Sequence, residues 1–320
     1  MNHRIRRAIF ALISYAVFCV VAGVLMAEMT LHPQRRLLDK QATEEAEQVA
    51  RRTRSGLHDV SLRTEDHLLL KAWLIQPTSN NGNAVLLLHG VSDNRIAMIG
   101  YAELLLNHGY SVLMPDARAH GQSDGEIATY GPLERRDIRD WVHWLSTNPH
   151  SKCVFGFGES MRAAQLLQSL GNNPTLCAVA AESPFSDLRE VSYGRVGQFF
   201  HTGPWLGRTL LRPVIEIAFL YSRWKYGFDL QQVSPVAVVS ATKVPVLLIH
   251  GQIDSNIPVR HSERIKSLAP AAVLWEVPRA DHCGAIGAAP EEFNSRIPDW
   301  FASHASAGAS PSFEALTSRY

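Results

Sequence analysis

The sequence has few cysteines and almost no net charge. Four cysteines in 320 residues are too few for a fold held together by disulfides. Basic and acidic side chains number 31 and 30, and the resulting net charge of +1 gives no general basic surface for nucleic acid. Charged residues make up only 19% of the chain and hydrophobic residues 46%, which excludes a disordered chain. A globular protein of one large domain or two smaller ones remains.

An uncharged apolar run follows the basic N-terminal end of the chain. Residues 1–7 include Arg4, Arg6 and Arg7, whereas residues 8–27 contain no charged side chain. A helix over this run would span about 30 Å, which is the thickness of the hydrocarbon core of a bilayer. We predict an uncleaved transmembrane anchor over residues 8–27. A cleaved signal peptide and a buried core helix are the alternatives.

The orientation of this anchor depends on the charges at both of its ends. Three basic residues follow the apolar run, namely Arg35, Arg36 and Lys40, and they offset the three arginines before it. The positive-inside rule therefore distinguishes only weakly between the two orientations of the helix in the membrane. A basic cluster ahead of the first apolar segment is the usual arrangement for a cytoplasmic N-terminus. We therefore expect a single-pass membrane protein whose remaining domain is extracytoplasmic.

The rest of the chain divides into three parts. Residues 28–56 predict a charged, solvated helical spacer, in which Glu47 and Arg51 have the favourable i,i+4 order. Residues 57–304 alternate short apolar runs with longer helical stretches, which predicts an α/β domain with a mostly parallel sheet. Residues 305–320 are rich in Ala, Ser, Gly and Pro and predict a flexible tail.

Periodicity and composition locate the elements of the α/β domain. A hairpin is predicted over residues 60–63 and 68–75, and buried strands at 84–88, 111–115, 153–157, 178–181, 246–249 and 273–277. Helices are predicted at 96–107, 133–146, 160–170, 259–268 and 291–304. Residues 186–243 contain no good strand and carry several aromatic residues, which predicts a helical cap over a pocket. An ordinary packed helical subdomain is the alternative.

A serine stands where a predicted strand meets a predicted helix. The strand at 153–157 leads through Gly158 and Glu159 into Ser160, and two alanines follow at 163 and 164. A serine on such a sharp turn presents its hydroxyl at the top of the sheet, and the turn needs small neighbours. Ser160 is therefore the candidate nucleophile.

A serine nucleophile needs a base and an orienting carboxylate. Asp254 lies in the loop after the predicted strand at 246–249, and His282 lies in the loop after the strand at 273–277. The order Ser160, Asp254, His282 is the nucleophile, acid and base order of this strand–helix fold. Asp187, which follows another predicted strand, is an alternative acid.

At these positions the sequence resembles the α/β-hydrolase family, and within it the membrane-anchored Bem46-like and the serine-aminopeptidase-like (S33) hydrolases. The resemblance covers residues 84–304 and extends to Leu-Leu-Leu-His-Gly at 86–90, Pro-Asp-Ala-Arg-Ala-His-Gly-Gln-Ser at 115–123 and Glu-Ser-Pro-Phe at 182–185. It implies an eight-stranded sheet, a Ser–Asp–His triad, a helical lid after the sixth strand and no cofactor. By analogy, the backbone N–H groups of Val91 and Met161 would form the oxyanion hole that stabilises the charge developing on the carbonyl oxygen.

One residue departs from the hydrolase pattern. Arg162 stands where the Gly-x-Ser-x-Gly elbow has its last glycine, a position that normally packs closely on a neighbouring strand. We expect the arginine either to strain the elbow or to push its side chain outward, and Arg162→Gly to raise activity or stability. A catalytically silent protein that uses the fold for binding is the alternative function.

Other polar residues receive structural interpretations. Asp281 cannot easily face the ring of its neighbour His282 and is interpreted as a solvated surface charge. Asp116 and His120 could suggest a metal pair, but no third ligand has suitable spacing, so no metal is expected. Cys153 and Cys177 begin what should be neighbouring parallel strands. They could form a disulfide if the domain is exported, and they are small buried side chains if it is cytoplasmic.

The predicted reaction is acyl transfer from an ester, thioester or amide to water. Ser160 attacks the carbonyl carbon, His282 takes its proton and Asp254 orients the imidazole. The aromatic cap and the membrane anchor suggest a lipophilic acyl substrate. No cofactor, metal or nucleic-acid partner is expected.

Overall fold

Short apolar runs form the strands of this protein, and longer amphipathic runs form its helices. The computed structural model describes residues 2–148, 151–172 and 175–305. The strands are β1 Ser55–Arg63, β2 Leu69–Pro77, β3 Asn83–Leu88, β4 Ser111–Pro115, β5 Cys153–Glu159, β6 Leu176–Glu182, β7 Val246–Gly251 and β8 Val273–Val277. The helices are α1 His3–Leu31, α2 Lys40–Arg52, α3 Ile99–Asn107, α4 Glu134–Thr147, α5 Ser160–Ser169, α6 Leu188–Phe199, α7 Trp205–Arg208, α8 Arg212–Tyr226, α9 Pro235–Val239, α10 Arg260–Leu268, α11 Ala285–Ala288 and α12 Pro290–His304. Short 3₁₀ turns cover Arg95–Met98, Leu170–Asn172 and Leu230–Gln232.

Within the described residues, eight strands form one sheet in the order β1-β2-β4-β3-β5-β6-β7-β8. β2 pairs antiparallel with β1 and β4, and all the other neighbouring strands are parallel. The predicted mostly parallel eight-stranded sheet is confirmed. Parallel strands run the same way through the sheet, so the loops after β5, β7 and β8 meet at one edge.

The central strands are apolar throughout because helices cover both faces of the sheet. In β3, Val85 and Leu87 belong to one buried cluster, whereas Leu86 and Leu88 belong to a second cluster on the opposite face. This two-sided burial explains why the predicted strand at 84–88 reads as a continuous apolar run.

The predicted spacer over residues 28–56 is not a free, solvated linker. Helix α2 buries Ala46, Val49 and Ala50 in the same cluster as the core strands, so its charged residues occupy only the outer face. Strand β1 begins at Ser55, five residues before the predicted start of the hairpin, and Ser55 pairs with Pro77. The early part of β1 was missed because half-exposed strand residues carry no apolar run.

The N-terminal helix α1 extends beyond the predicted 8–27 segment at both ends, from His3 to Leu31. In the described part of the chain, α1 is the one helix long and apolar enough to cross a membrane. Its first half exposes large apolar side chains such as Phe10 and Leu12. Its second half packs against α8, where a Cβ at Gly23 would lie 2.7 Å from the Val214 carbonyl oxygen.

Helices α6 to α9 fill the interval between β6 and β7, where the cap over residues 186–243 was predicted. Their buried residues form a third apolar cluster that includes Val191 and Phe219. This cluster also takes in Leu31 from α1 and Phe185 from the loop after β6. The cap therefore packs on the N-terminal helix as well as on the sheet.

A disulfide joins the starts of two neighbouring strands. Cys153 in β5 and Cys177 in β6 are bonded, with Cα atoms 5.9 Å apart, while Cys19 and Cys283 are free. Of the predicted tail over residues 305–320, residues 306–320 lie outside the described part of the chain.

Candidate active site

Ser160 occupies a sharp turn between β5 and α5. Its φ is +52°, a left-handed conformation that L-residues rarely adopt, so the backbone turns abruptly at the serine. A Cβ at Gly158 would approach the Arg162 carbonyl oxygen to 3.0 Å and the Ala163 nitrogen to 3.1 Å, which explains why glycine precedes the turn. This is the geometry expected of a nucleophile elbow.

The structure brings Ser160, His282 and Asp254 together from three separate strand ends. His282 Nε2 lies 2.8 Å from Ser160 Oγ, and His282 Nδ1 lies 2.8 Å from Asp254 Oδ2. With Nδ1–H donating to the carboxylate, Nε2 is free to accept the serine proton. These three side chains are separated by 122 and 28 residues in the chain.

The Asp254 carboxylate is held by more than His282. Its Oδ1 accepts from the backbone N–H groups of Asn256 and Ile257, at 2.9 and 2.7 Å. His250 Nε2 lies 3.3 Å from Oδ2. Burial alone would raise the pKa of Asp254, but the hydrogen bonds from His250, His282 and Ile257 outweigh it and hold the pKa well below its ordinary value. Asp254 is therefore ionised beside the imidazole.

The alternative acid, Asp187, has a different role. Its carboxylate accepts from the backbone N–H groups of Arg189 and Glu190 and caps the N-terminus of α6. Asp281 is exposed, as interpreted from the sequence, but it also accepts hydrogen bonds from Ser255. This contact links the loop of Asp254 to the loop of His282.

The predicted oxyanion-hole residues lie beside the nucleophile. Met161 is in the first turn of α5, where backbone N–H groups have no partner within the helix. Val91 follows the end of β3, and both residues line the same cavity as Ser160. A Cβ at Gly90 would lie 3.9 Å from the Ser160 Cβ, so this loop passes close to the nucleophile.

Arg162 does not point outward. Its side chain is only 1% exposed, and its Nη1 donates to Gln165 Oε1 at 2.9 Å. Burial lowers the pKa of the guanidinium to about 10, against the opposing influence of Glu134 and Asp137. Of the two outcomes expected from the sequence, strain or outward placement, the outward placement is wrong: the guanidinium is buried, within electrostatic range of Glu134 and Asp137. The nucleophile retains its position with the arginine in place.

Two glutamates lie behind the catalytic loops. Glu159 directly precedes Ser160, Glu182 ends β6, and the Tyr101 hydroxyl is within hydrogen-bonding distance of both. Burial foremost, and then the charge of Glu182, raises the pKa of Glu159 to about 8. Burial raises the pKa of Glu182 to about 7. The tyrosine has one proton to donate, so a protonated carboxyl is needed to complete the set of hydrogen bonds.

The loop that carries Asp116 and His120 is structural. Asp116 accepts from the backbone N–H groups of Arg95 and Gln122, both at 2.8 Å, and is fully buried. Within the described residues, no group of three His, Cys, Asp or Glu side chains could hold a metal ion.

A cavity of about 240 Å³ adjoins the nucleophile. A wider open depression of about 1070 Å³, bordered by Lys152 and Lys243, contains none of the site residues. The smaller cavity is mostly apolar, and three of its lining residues come from helix α1. The residues that line it are Met26, Ala27, Thr30, Val91, Tyr130, Ser160, Met161, Phe185, Leu188, Val191, Ser192, Arg195, Val196, Ala218, Phe219, Leu230 and Ile257.

The sequence model of the X-Pro dipeptidyl-peptidase (S15) family matches residues 39–212, more than half of the chain. The chain belongs to the X-Pro dipeptidyl-peptidase (S15) family. It has the α/β-hydrolase fold, as the sequence predicted. The finer Bem46-like and S33 assignment stays a prediction.

Two curated relatives of this S15-family protein come from bacteria. The uncharacterized protein YqkD of Bacillus subtilis is 31% identical over 209 residues, which span 64% of this chain and 66% of that protein, slightly less than two thirds. The uncharacterized protein YfhR of Escherichia coli is 26% identical over 237 residues, covering 71% of this chain and 74% of that protein.

Solved structures similar to this S15-family protein include an esterase and peptidases. The Pyrococcus furiosus esterase Pf2001 has a TM-score of 0.67 and 27% identity, covering 86% of this chain and 98% of that one. The Pyrococcus horikoshii acylaminoacyl peptidase has a TM-score of 0.58 and 16% identity, covering 78% of this chain and 42% of that one. The peptidase similarity shows the fold alone.

Sequence reasoning missed His250, the Asp281–Ser255 contact and the contribution of α1 to the cavity. His250 lies near the end of β7, four residues before Asp254, and this spacing was the available signal. No local pattern joins residues 26–30 to Ser160, because that contact exists only after the cap and α1 have packed together.

Proposed function

We propose that this protein is a membrane-anchored serine hydrolase that transfers an acyl group to water through Ser160. The observation that supports it most is the continuous chain of 2.8 Å contacts from Ser160 through His282 to Asp254. A nucleophile, a base and an orienting acid in this geometry are what activation of a serine hydroxyl requires.

The reaction proceeds in two halves. Ser160 Oγ attacks the carbonyl carbon while its proton passes to His282 Nε2, and the oxyanion is stabilised by the N–H groups of Val91 and Met161. The imidazolium then protonates the leaving alcohol, thiol or amine, and the acyl-enzyme forms. In the second half, His282 takes a proton from water, the hydroxide attacks the acyl-enzyme, and the carboxylic acid leaves with Ser160 reprotonated.

The lining of the cavity favours an acyl ester or thioester as substrate over a peptide that begins with X-Pro. A dipeptidyl peptidase has to bind a substrate ammonium group, which calls for a carboxylate in the pocket. Among the described residues that line the cavity, Arg195 carries a charge and none is acidic. The apolar lining, together with the similarity to an esterase at 27% identity, supports a lipophilic acyl group as the substrate.

An extracytoplasmic location is part of the same proposal. The apolar helix α1 supports anchoring, and the Cys153–Cys177 disulfide is typical of an oxidising compartment. Mass spectrometry of the nonreduced protein purified from its native membrane tests this directly. We expect a peptide pair linked through Cys153 and Cys177, whereas two free thiols would contradict export.

Fluorophosphonate labelling tests the enzyme directly. We expect the wild-type protein to be labelled, Ser160→Ala to lose the label, and Ser267→Ala to retain it. Ser267 is a suitable control because its exposed hydroxyl donates to the Arg264 carbonyl, away from the site. Absence of labelling in the wild type would favour the alternative function, a catalytically silent binding protein, which the unusual Arg162 motivates.

A further inference from the structure

The last turns of the anchor helix form part of the active-site cavity. Met26, Ala27 and Thr30 line it together with Ser160. Ala27 is only 2% exposed and Leu31 is completely buried, whereas the first half of the same helix is exposed. A membrane anchor that only tethered the domain would not need to reach the substrate cavity.

Specific contacts fix this end of α1 to the cap. Glu28, the first charged residue after Arg7, accepts from the Tyr221 hydroxyl at 2.6 Å and from Lys225 Nζ at 2.8 Å. The Tyr226 hydroxyl also lies 2.8 Å from the Glu28 carboxylate. Since Gly23 lies against the start of α8 and Glu28 against its end, the two helices run side by side in the same direction.

The same end of α1 is also attached to the main domain. The Leu31 carbonyl accepts from the Ala128 N–H at 2.8 Å, and the Thr30 carbonyl accepts from the Tyr130 hydroxyl at 3.2 Å. Arg35 then donates to the carbonyls of Ser123 and Gly125, both at 2.6 Å. Attachment on two sides makes α1 a fixed wall of the cavity.

The outer face of this wall remains apolar. Val21, Leu25 and Met29 form a stripe at i,i+4 spacing and are 53, 56 and 78% exposed. On the adjacent helix α8, Leu220 and Trp224 are 66 and 81% exposed. A tryptophan beside an apolar stripe is typical of the membrane–water interface.

The length of α1 brings this region to the membrane. Residues 3–18 lie outside the packed protein, apart from the half-buried Tyr15. Of these, the uncharged residues 8–18 reach about 16 Å at 1.5 Å per residue, whereas a hydrocarbon core is about 30 Å thick. The docked part of α1 and the exposed face of α8 therefore have to meet the lipid.

We propose that α1 selects the substrate: the cavity accepts one acyl chain of a membrane-resident lipid ester, and Met26 and Ala27 limit the length of that chain. This inference rests on the proposed serine hydrolase function. The acyl chain passes from the bilayer into the cavity along α1, and its carbonyl reaches Ser160.

The test is the acyl-chain-length profile of the full-length protein reconstituted in phosphatidylcholine vesicles, measured with p-nitrophenyl esters of short, medium and long chains. Ala27→Leu fills the cavity, so we expect kcat/KM to fall about tenfold for long chains and little for short ones. Met26→Ala enlarges the cavity and shifts the preference to longer chains. Val21→Phe, which adds volume on the outer face of the same helix, leaves the profile as in the wild type.

Fluorophosphonate labelling of each variant separates this inference from the proposed function. If Ala27→Leu and Met26→Ala are labelled like the wild type but keep its chain-length profile, the selecting role of α1 is wrong and the serine hydrolase stands. If Ala27→Leu fails to fold, Met26→Ala tests the proposal by itself. Its expected effect is a preference for longer acyl chains, which damage to the fold would not produce. A wild type that is neither labelled nor hydrolyses any ester overturns both proposals.

Discussion

Asp281 accepts hydrogen bonds from both the backbone N–H and the hydroxyl of Ser255, at 2.8 and 3.0 Å. It also accepts from the backbone N–H of His282 at 2.8 Å. These contacts join the loop that carries Asp254 to the loop that carries His282, the proposed acid and base.

We predict that Asp281→Ala lowers kcat about tenfold and leaves KM nearly unchanged, because the loops lose their link while the cavity stays intact. Asp281→Asn keeps one acceptor oxygen and should restore most of the rate. Steady-state kinetics on a short-chain ester, with a thermal melt to exclude unfolding, checks this. Equal rates for wild type and Asp281→Ala would show that the contact has no positioning role.

The two candidate acids can be separated by matched substitutions. Asp254→Asn removes the charge that stabilises the His282 imidazolium and should lower kcat by roughly 10³- to 10⁴-fold. Asp187→Asn should have little effect, because asparagine caps a helix as well as aspartate does. The measurement is kcat/KM for both variants on the same ester. A large loss in Asp187→Asn with a small loss in Asp254→Asn would reverse the assignment.

Arg162 offers a stability test of the buried guanidinium. Arg162→Met should raise the free energy of unfolding by about 1 kcal/mol, because an apolar side chain of similar length replaces a buried charge with few partners. Arg162→Gly should instead lower it by roughly 2–4 kcal/mol, since it leaves a cavity and adds a glycine to α5. The structure thus gives a reason against the stability gain expected for Arg162→Gly from the sequence. Urea unfolding of the wild type and the two variants measures these differences. An Arg162→Met protein less stable than the wild type would contradict the prediction.

The Glu159–Glu182 pair predicts a pH-dependent stability. Burial raises the pKa of Glu159 from its ordinary 4.5 to about 8, so the folded state keeps a proton that the unfolded state releases between these two values. The stability conferred by this proton is complete below the pKa of Glu159 in the unfolded state. It is lost as the pH rises through the pKa of Glu159 in the folded state. Glu182, Tyr101, Cys283 and Asp93 are the titratable groups that act on this site or share it.

We therefore expect Glu159→Gln to be more stable than the wild type at about pH 8 by roughly 1–3 kcal/mol, and the difference to shrink toward about pH 5. Urea midpoints across this range measure it. Glu263→Gln, an exposed position on α10, serves as the control and should show no such trend. A difference that grows toward acid pH would contradict the raised pKa.

Much of the architecture follows from local patterns. Strands buried on both faces have to be apolar at successive positions, and the predicted bounds of β4 match the structure for this reason. The predicted bounds of β8 match as well, although this edge strand is only partly buried. Ser160 was identifiable because an elbow needs glycine before it and small residues after it. Asp254 and His282 were identifiable because each follows a predicted strand.

Other features depended on residues that meet only in the folded chain. Whether Arg162 points outward or inward is decided by the space behind α5, which no local pattern records. The amphipathic face of α2 looked solvated because its buried residues are mostly alanines, which carry a weak apolar signal.

The sequence by itself determined the strands of the sheet, the turn at Ser160, and the serine, aspartate and histidine that follow three of the strands. Each of these features depends on a pattern of a few neighbouring residues. Only the tertiary structure decided that the apolar helix α1 forms a wall of the cavity. Glu28 and Lys225 are 197 positions apart, and their contact arises when α1 packs along α8. A long-range contact of this kind depends on how two faces fit together, and that fit is absent from the periodicity of either helix.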